Sequence, residues 1–158
     1  MTNERGRMRA LLHPITAPVI AGMRRPAQSD DAALAALMMR AYVGTIDYEG
    51  EDEVDALVEV RDTLSGSNGP FLWTASHVVE RDGALASATL VIRWQDQPLV
   101  AFTMTDTRFK RQGLGRACML NSMHRLHAAG EAELNLFVTL ANDEAVSLYR
   151  SLGFVLQP

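Results

Sequence analysis

The chain has 158 residues, which fits one domain that buries roughly two-thirds of the surface exposed by its unfolded chain. Hydrophobic residues make up 47% of it and the formal net charge is −4, which argues against a general nucleic-acid binder with a basic face. Cys118 is the one cysteine and cannot form an internal disulfide, and no apolar run approaches the roughly 20 residues that span a bilayer. These features predict a cytoplasmic protein that binds neither nucleic acid nor membrane.

Residues 1–18 differ in character from the rest of the chain. Three arginines precede a short apolar stretch that Pro14 and Pro18 interrupt, and no convincing cleavage site follows, so this is a poor signal peptide. We predict a leader over residues 1–18, partly disordered, and a folded domain over residues 19–158.

The first half of the predicted domain holds one short strand, over residues 19–24, and two helices. Apolar residues at helical spacing predict these helices over residues 32–42 and 51–64. Asp30 or Asp31 caps the first helix, and acids occupy the first turn of the second, where the helix dipole favours them.

The middle of the chain is strand-like. Residues 71–81 and 84–94 are joined by Asp82-Gly83, a strong hairpin signal, and residues 98–105 form a third, nearly continuous apolar strand. These three strands are predicted to pair as an antiparallel meander.

The last third of the chain predicts a strand–helix–strand unit. A helix over residues 115–129 ends at Gly130, a strand covers residues 132–139, and another helix over residues 142–152 ends at Gly153. Strands joined through a helix are parallel, with a right-handed crossover. The predicted fold is a single-domain α/β protein, whose mixed sheet consists of an antiparallel meander followed by a βαβ unit, with helices on both faces.

The segment 110–116 reads Lys-Arg-Gln-Gly-Leu-Gly-Arg and lies between a strand and a helix. Gly113 and Gly115 lack a Cβ, so the backbone can approach a ligand closely and adopt positive φ. The free N–H groups of the following helix turn and the flanking cations favour a phosphate. Alone, the pattern is more often a simple turn. It is also a poor dinucleotide fingerprint, because Cys118 stands at the third glycine position.

The segment from Asn142 to Phe154 is more specific. It follows the pattern N-x-x-A-x-x-L-Y-x-x-x-G-F and resembles the last conserved motif of the GCN5-related N-acetyltransferases (GNAT). The segment 110–115 resembles that family's Q/R-x-x-G-x-G/A motif, with lysine at the first position. The resemblance covers residues 19–154. It implies the family's fold and the transfer of an acetyl group from acetyl-coenzyme A to an amine of a small molecule or peptide.

The resemblance also implies which residues bind acetyl-coenzyme A. The loop amides from Arg111 to Arg116 are expected to hold the pyrophosphate. Strands 98–105 and 132–139 are expected to splay apart, so that free backbone groups pair with the pantetheine arm. The Thr103 N–H is expected to polarise the thioester carbonyl. The residues so assigned are Thr103, Met104, Thr105, Lys110, Arg111, Gln112, Gly113, Leu114, Gly115, Arg116, Asn142 and Tyr149, and no metal is implied.

Tyr149 and Asn142 each allow two interpretations. In the family, a tyrosine at the position of Tyr149 protonates the departing coenzyme A thiolate, which a phenol can do because it is protonated at neutral pH. The alternative for Tyr149 is a half-buried core residue. Asn142 is expected to contact the pantetheine or to cap the last helix, and the two roles are compatible.

Leu99 stands where some members of the family, notably the histone-modifying ones, place a glutamate base. No side chain of residues 98–105 can act as a carboxylate or imidazole base. Deprotonation of the amine then needs a more distant group, for which Glu80 and Glu49 are candidates, or the backbone, or the population of free amine. This departure leaves a second function open, a catalytically silent acyl-coenzyme A sensor or assembly module.

Six acids lie between residues 47 and 55. The resemblance implies that the acceptor cleft is bordered by the helix pair to which they belong, so they could attract a cationic amine. The alternative is an exposed helix start that the helix dipole favours.

Members of the family usually have a further strand after the one that begins at Gly153-Phe154, whereas this sequence ends at Pro158. Because bare sheet edges tend to be covered, we expect residues 8–15 to fold over that edge, or a second copy of the chain to pair with it in a homodimer.

Overall fold

One mixed sheet with helices on both faces organises the structure, a computed structural model that describes residues 4–158. The strands lie in the order β2-β3-β4-β5-β6-β1-β7. This arrangement confirms the predicted α/β fold. Within the described residues the elements are β1 Arg5–Leu11, β2 Met23–Arg24, α1 Asp31–Tyr42, α2 Glu53–Ser65, β3 His77–Arg81, β4 Ala84–Trp94, β5 Gln97–Thr105, α3 Leu114–Ala128, β6 Glu133–Thr139, α4 Asp143–Ser151 and β7 Val155–Leu156.

The predicted meander is confirmed, with a later start. Strands β3, β4 and β5 pair in antiparallel fashion, and positive φ angles at both Asp82 (53°) and Gly83 (78°) form the tight turn. The strand predicted over residues 71–81 begins only at His77. A 3₁₀ turn at Trp73–Ala75 interrupts the predicted strand, and after it the Ser76 hydroxyl accepts a hydrogen bond from Val91 N (2.9 Å) in place of a backbone carbonyl.

The predicted leader contains a strand of the sheet, which corrects the expectation that residues 1–18 lie outside the domain. Strand β1 is inserted between β6 and β7 and is antiparallel to both. Met8 and Ala10 are each 1% exposed, while Arg5, Arg7 and Arg9 alternate with them and point to the other face. The leader therefore pairs with β7, as one of the two expectations stated, but it lies between β6 and β7 and not over the outer edge, so β7 remains the edge strand among the described residues. Residues 1–3 lie outside the described residues, and the homodimer stays a prediction.

Two helix layers bury the two faces of the sheet. Helices α1 and α2 pack with one face around Leu34, Leu37 and Leu90, and α3 and α4 pack with the other around Met8, Met119 and Leu136. No helix in residues 4–158 is long and apolar enough to cross a membrane.

Candidate active site

A cleft of about 690 Å³ opens where β5 and β6 part. The two strands pair in parallel only at Leu99 with Asn135 and at Val100 with Leu136, and then diverge as the resemblance implied. The α1–α2 connector, the loop before α3 and the start of α4 form the walls. The predicted residues that line the cleft are Thr103, Met104, Thr105, Lys110, Arg111, Gly113, Leu114, Gly115, Arg116, Asn142 and Tyr149. Gln112 is exposed and does not line it.

The backbone of β5 presents free polar groups to the cleft. Asp106 N, just after β5, donates a 2.8 Å hydrogen bond to Ala86 O on β4. The pairing of β4 with β5 keeps the same register from there to Thr103. Residues of an antiparallel pair alternate in the direction in which they point their N–H and C=O groups. The backbone groups of Thr103 and Thr105 therefore point away from β4 and toward the gap beside β6. An extended ligand can pair with them as an added strand.

The glycine loop ends at the N-terminus of α3. Gly113 has φ +77°, and a Cβ there would meet no atom within 4 Å, so its backbone conformation is what requires glycine. Gly115 is favoured for a different reason, the lack of space, because a Cβ there would lie 3.2 Å from Thr105 Oγ1 on β5. Positive φ was expected at both glycines and is found only at the first. No side chain caps α3, so its first N–H groups face the cleft without an intrahelical partner.

Asp106, which the sequence analysis missed, supports this loop. Its buried carboxylate accepts hydrogen bonds from Arg40 Nε on α1 (2.8 Å) and from Arg108 Nη2 (2.9 Å). The Arg108 side chain is the main reason that the pKa of this carboxyl lies well below its usual range. Asp106 also accepts from Arg108 N and so caps the short turn that leads into the loop. The sequence signal that could have identified Asp106 is its position directly after a strand, since an aspartate there often accepts a hydrogen bond from the backbone N–H two residues on.

Tyr149 lies in the cleft wall with only 8% of its surface exposed. Its ring packs edge-on against Phe154, with 6.0 Å between ring centroids. No described residue forms a hydrogen bond with its hydroxyl. The pKa of Tyr149 is raised to about 12, mainly by burial, with a smaller contribution from the Asp47 carboxylate that Arg5 opposes. The phenol is therefore protonated at neutral pH.

Asn142 caps α4 and also reaches across the cleft. Its Oδ1 accepts a hydrogen bond from Ala145 N (3.1 Å), which confirms the capping interpretation. Its Nδ2 donates to Asp47 Oδ2 (3.0 Å) in the α1–α2 connector. Contact with a pantetheine arm stays a prediction for this residue.

The two candidate bases lie in different places. Glu80 forms an ion pair with Arg24 (2.8 Å) and does not line the cleft, whereas Glu49 does. Sequence reasoning gave no role to Arg5, Tyr42 or Glu59, which also line the cleft. No motif marks these three, because elements distant in sequence bring them together.

Comparisons with known proteins bear on the family and the fold of the chain. A sequence model described as the Acetyltransferase (GNAT) family matches residues 33–154. A curated relative, the [ribosomal protein bS18]-alanine N-acetyltransferase of Escherichia coli K12, is 34% identical over 74 residues. That match spans 47% of this chain and 50% of the relative, so the chain spans about half the length of the curated relatives it matches.

Solved structures show the same fold. The ribosomal-protein-S18-alanine N-acetyltransferase of Escherichia coli superposes with a TM-score of 0.67 at 24% identity, over 86% of this chain and 78% of that one. A GCN5-related N-acetyltransferase from Sphaerobacter thermophilus gives 0.75 at 15% identity, over 97% and 48%. PaiA N-acetyltransferase from Thermoplasma acidophilum, in complex with coenzyme A, gives 0.64 at 17% identity, over 85% and 89%.

Proposed function

The chain belongs to the GNAT family of acetyltransferases, and on that premise we propose that it transfers the acetyl group of acetyl-coenzyme A to a primary amine. The observation that carries the proposal is the single cleft lined by Thr103, by the glycine loop and by Tyr149. Its residues fit acetyl-coenzyme A. Free backbone groups of β5 suit the pantetheine arm, and the uncapped start of α3 with its cations suits the pyrophosphate.

Direct attack in a ternary complex needs no covalent intermediate on the protein. Cys118 is fully buried, and burial raises the pKa of its thiol to about 12, so it is a poor nucleophile. The acceptor instead reacts as the free amine and forms the new C–N bond at the thioester carbon while the C–S bond breaks. The proton that the nitrogen loses goes to water, and water returns a proton to Tyr149 after the transfer. The Thr103 N–H stabilises the negative charge on the carbonyl oxygen, and Tyr149 donates its proton to the departing sulfur.

The acceptor belongs to the same proposal. The name of the Escherichia coli relative points to the terminal amine of a protein, and a peptide amine is therefore one acceptor worth testing. A small-molecule amine is the other. The proposal includes both kinds of acceptor.

Thiol release measured with a panel of amines and peptides tests the proposal. We expect release of coenzyme A that depends on the amine, with one acetyl group added to the acceptor by mass spectrometry. If acetyl-coenzyme A binds but no acceptor in the panel increases thiol release, the protein is better explained as a catalytically silent acyl-coenzyme A sensor or assembly module.

A further inference from the structure

We propose that the cleft selects an acceptor amine that carries a second positive charge, which is held by an acidic wall formed by Asp47, Glu49, Glu51 and Glu59. The inference rests on the proposed acetyl transfer and adds the chemical class of its acceptor. All four side chains come from the α1–α2 connector and α2, and all line the cleft.

The alternative of an exposed helix start accounts for other members of the acidic run. Asp52 and Asp55 form a capping box at the start of α2, with hydrogen bonds of 2.8 and 3.1 Å between each side chain and the other residue's backbone N–H. Neither of them lines the cleft. The four residues of the acidic wall have no part in that capping box.

The charge of the acidic wall is not neutralised within the described part of the protein. None of its four carboxylates forms an ion pair with a residue in the range 4–158. Three of the four cations that line the cleft, Lys110, Arg111 and Arg116, belong to the loop and the first turn of α3. The fourth, Arg5, lies on β1 and donates to Phe137 O (3.3 Å). The cations of the loop and of α3 thus lie apart from the acidic wall, whereas Arg5 acts on Tyr149 together with Asp47 but forms no ion pair with a described carboxylate.

Mutual repulsion within the wall is felt by Glu59. Partial burial is the first cause that raises the pKa of Glu59, and the carboxylates of Glu51, Glu49, Asp55 and Asp62 follow. No cation appears among these causes. A bound cation would relieve this repulsion, whereas a bound anion would increase it.

The hydroxyl of Tyr149 is a second, independent sign of a ligand. The side chain is more than nine-tenths buried, lines the same cleft, and has no hydrogen-bond partner among residues 4–158. Asp47 lies close enough to raise its pKa. Asn142 holds one oxygen of Asp47, while the other, Oδ1, accepts no hydrogen bond from a described residue. An ammonium group can therefore donate to Oδ1 of Asp47, while the Tyr149 hydroxyl stays available to the departing sulfur.

Three amines with four carbons each test the charge preference. 1,4-Diaminobutane, butylamine and 4-aminobutanoate present the same reacting amine and differ at the far end, which is an ammonium, a methyl or a carboxylate. We expect kcat/KM for the diamine to exceed that for butylamine by about tenfold, which corresponds to one modest ion pair, with 4-aminobutanoate the poorest. The difference should lie mainly in KM and shrink as salt is added.

Charge-removing variants locate the preference. Glu49→Gln and Glu59→Gln should each reduce the ratio of kcat/KM between diamine and butylamine. Glu53→Gln is the matched control, because it removes the same charge from α2 outside the cleft, does not act on the pKa of Glu59, and should leave that ratio unchanged. Two amidated tripeptides, Ala-Lys-Lys and Ala-Ser-Ser, show whether the same charge preference extends to peptides or is confined to small polyamines.

The outcomes separate this inference from the proposed function. Equal kcat/KM for diamine and butylamine, or an equal loss in Glu53→Gln and Glu59→Gln, overturns the acidic wall while acetyl transfer stands. If no amine releases thiol, acetyl transfer fails, and calorimetry with 1,4-diaminobutane and protein saturated with coenzyme A decides the inference. Binding that Glu59→Gln weakens then supports it, and absence of binding overturns it.

Discussion

Asn142 and Asp47 are joined by a 3.0 Å hydrogen bond from Nδ2 of the first to Oδ2 of the second. Because Asn142 also caps α4, one amide connects the helix that carries Tyr149 to the connector that carries the acidic wall. The residue lies in the sequence motif, yet this structural role depends on a partner 95 positions away. It therefore couples two walls of the cleft.

A double-mutant cycle measures this coupling. Asn142→Ala should lower the free energy of unfolding by about 1 kcal/mol through the lost cap alone. Combined with Asp47→Ala, we expect a coupling energy of about 1 kcal/mol, because the hydrogen bond has one charged partner. Urea unfolding of the four proteins gives the value. The pair Asp143→Ala and Asp47→Ala is the control and should be additive, and additivity in the Asn142 cycle would show that the bond contributes nothing.

Gly113 separates backbone strain from ligand binding. Gly113→Ala should lower the free energy of unfolding by about 1 kcal/mol, because φ is +77° and a methyl group meets no neighbour. It should keep the stabilisation by acetyl-coenzyme A, about 2.7 kcal/mol at a hundredfold excess over Kd. Gly113→Glu carries the same strain and adds a negative charge at the proposed phosphate site, so it should lose that stabilisation. Equal thermal shifts in both variants would remove the loop from the binding site.

Met8 and Leu11 test the role of β1. Met8 is 1% exposed between the sheet and the helices, whereas Leu11 on the same strand is 67% exposed. Met8→Ala should lower the free energy of unfolding by about 3 kcal/mol, because it leaves a cavity. Leu11→Ala should change it by less than about 0.5 kcal/mol. Urea unfolding compares the two, and an equally small effect would show that β1 contributes little to the core.

The sequence predicts best the elements whose signals are local. Strand β4 has the predicted bounds, because an Asp-Gly turn fixes one end and a nearly continuous run of buried residues fills the rest. Strand β1 could not be predicted in the same way. Its apolar positions are few and stand between arginines, and its pairing with β6 joins residues as far apart as Arg5 and Thr139. Such pairing depends on the whole sheet and not on local sequence.

The residues of the candidate site likewise fall into those marked by local sequence motifs and those brought together only by the fold. Gly113 and Tyr149 belong to motifs with fixed local spacing, and the structure brings both into one cleft. Tyr42, Glu59 and Arg5 reach that cleft from α1, α2 and β1, and no spacing along the chain relates them. Only the order of the strands and the packing of the helices place them together.

His77 should make stability depend on pH. The side chain is buried, with Nδ1 3.1 Å from Ser122 Oγ, and burial lowers the pKa of His77 from 6.5 to about 4. Below pH 6.5 the unfolded chain therefore takes up a proton that the folded chain does not. We expect this group to lower the free energy of unfolding by about 2 kcal/mol between pH 7.5 and pH 5.

Urea unfolding of the parent and of His77→Gln at several pH values isolates this effect. The difference between the two proteins cancels the contributions of the carboxyl groups. It should change by the expected amount between pH 7.5 and pH 5. A constant difference over that range would mean that His77 titrates alike in both states.

Tyr149→Phe tests the proposed general acid. The change keeps the ring and its contact with Phe154, so the free energy of unfolding and the binding of acetyl-coenzyme A should change little. Removal of the proton donor should lower kcat by roughly a hundredfold, at the lower end of general acid effects, because the coenzyme A thiolate is a tolerable leaving group unaided. KM for acetyl-coenzyme A should stay similar, since the hydroxyl acts in the transition state.

The pKa of Tyr149 adds a pH criterion to this test. Because burial raises the pKa to about 12, the phenol keeps its proton throughout the usual assay range. The hydroxyl should therefore give the parent no falling limb of kcat up to about pH 10, and the ratio of parent to variant kcat should be constant over that range. Steady-state thiol release with an amine from the panel measures both quantities. Near-parent kcat in Tyr149→Phe would make Tyr149 a packing residue, and a ratio that falls toward one between pH 8 and pH 10 would contradict the raised pKa.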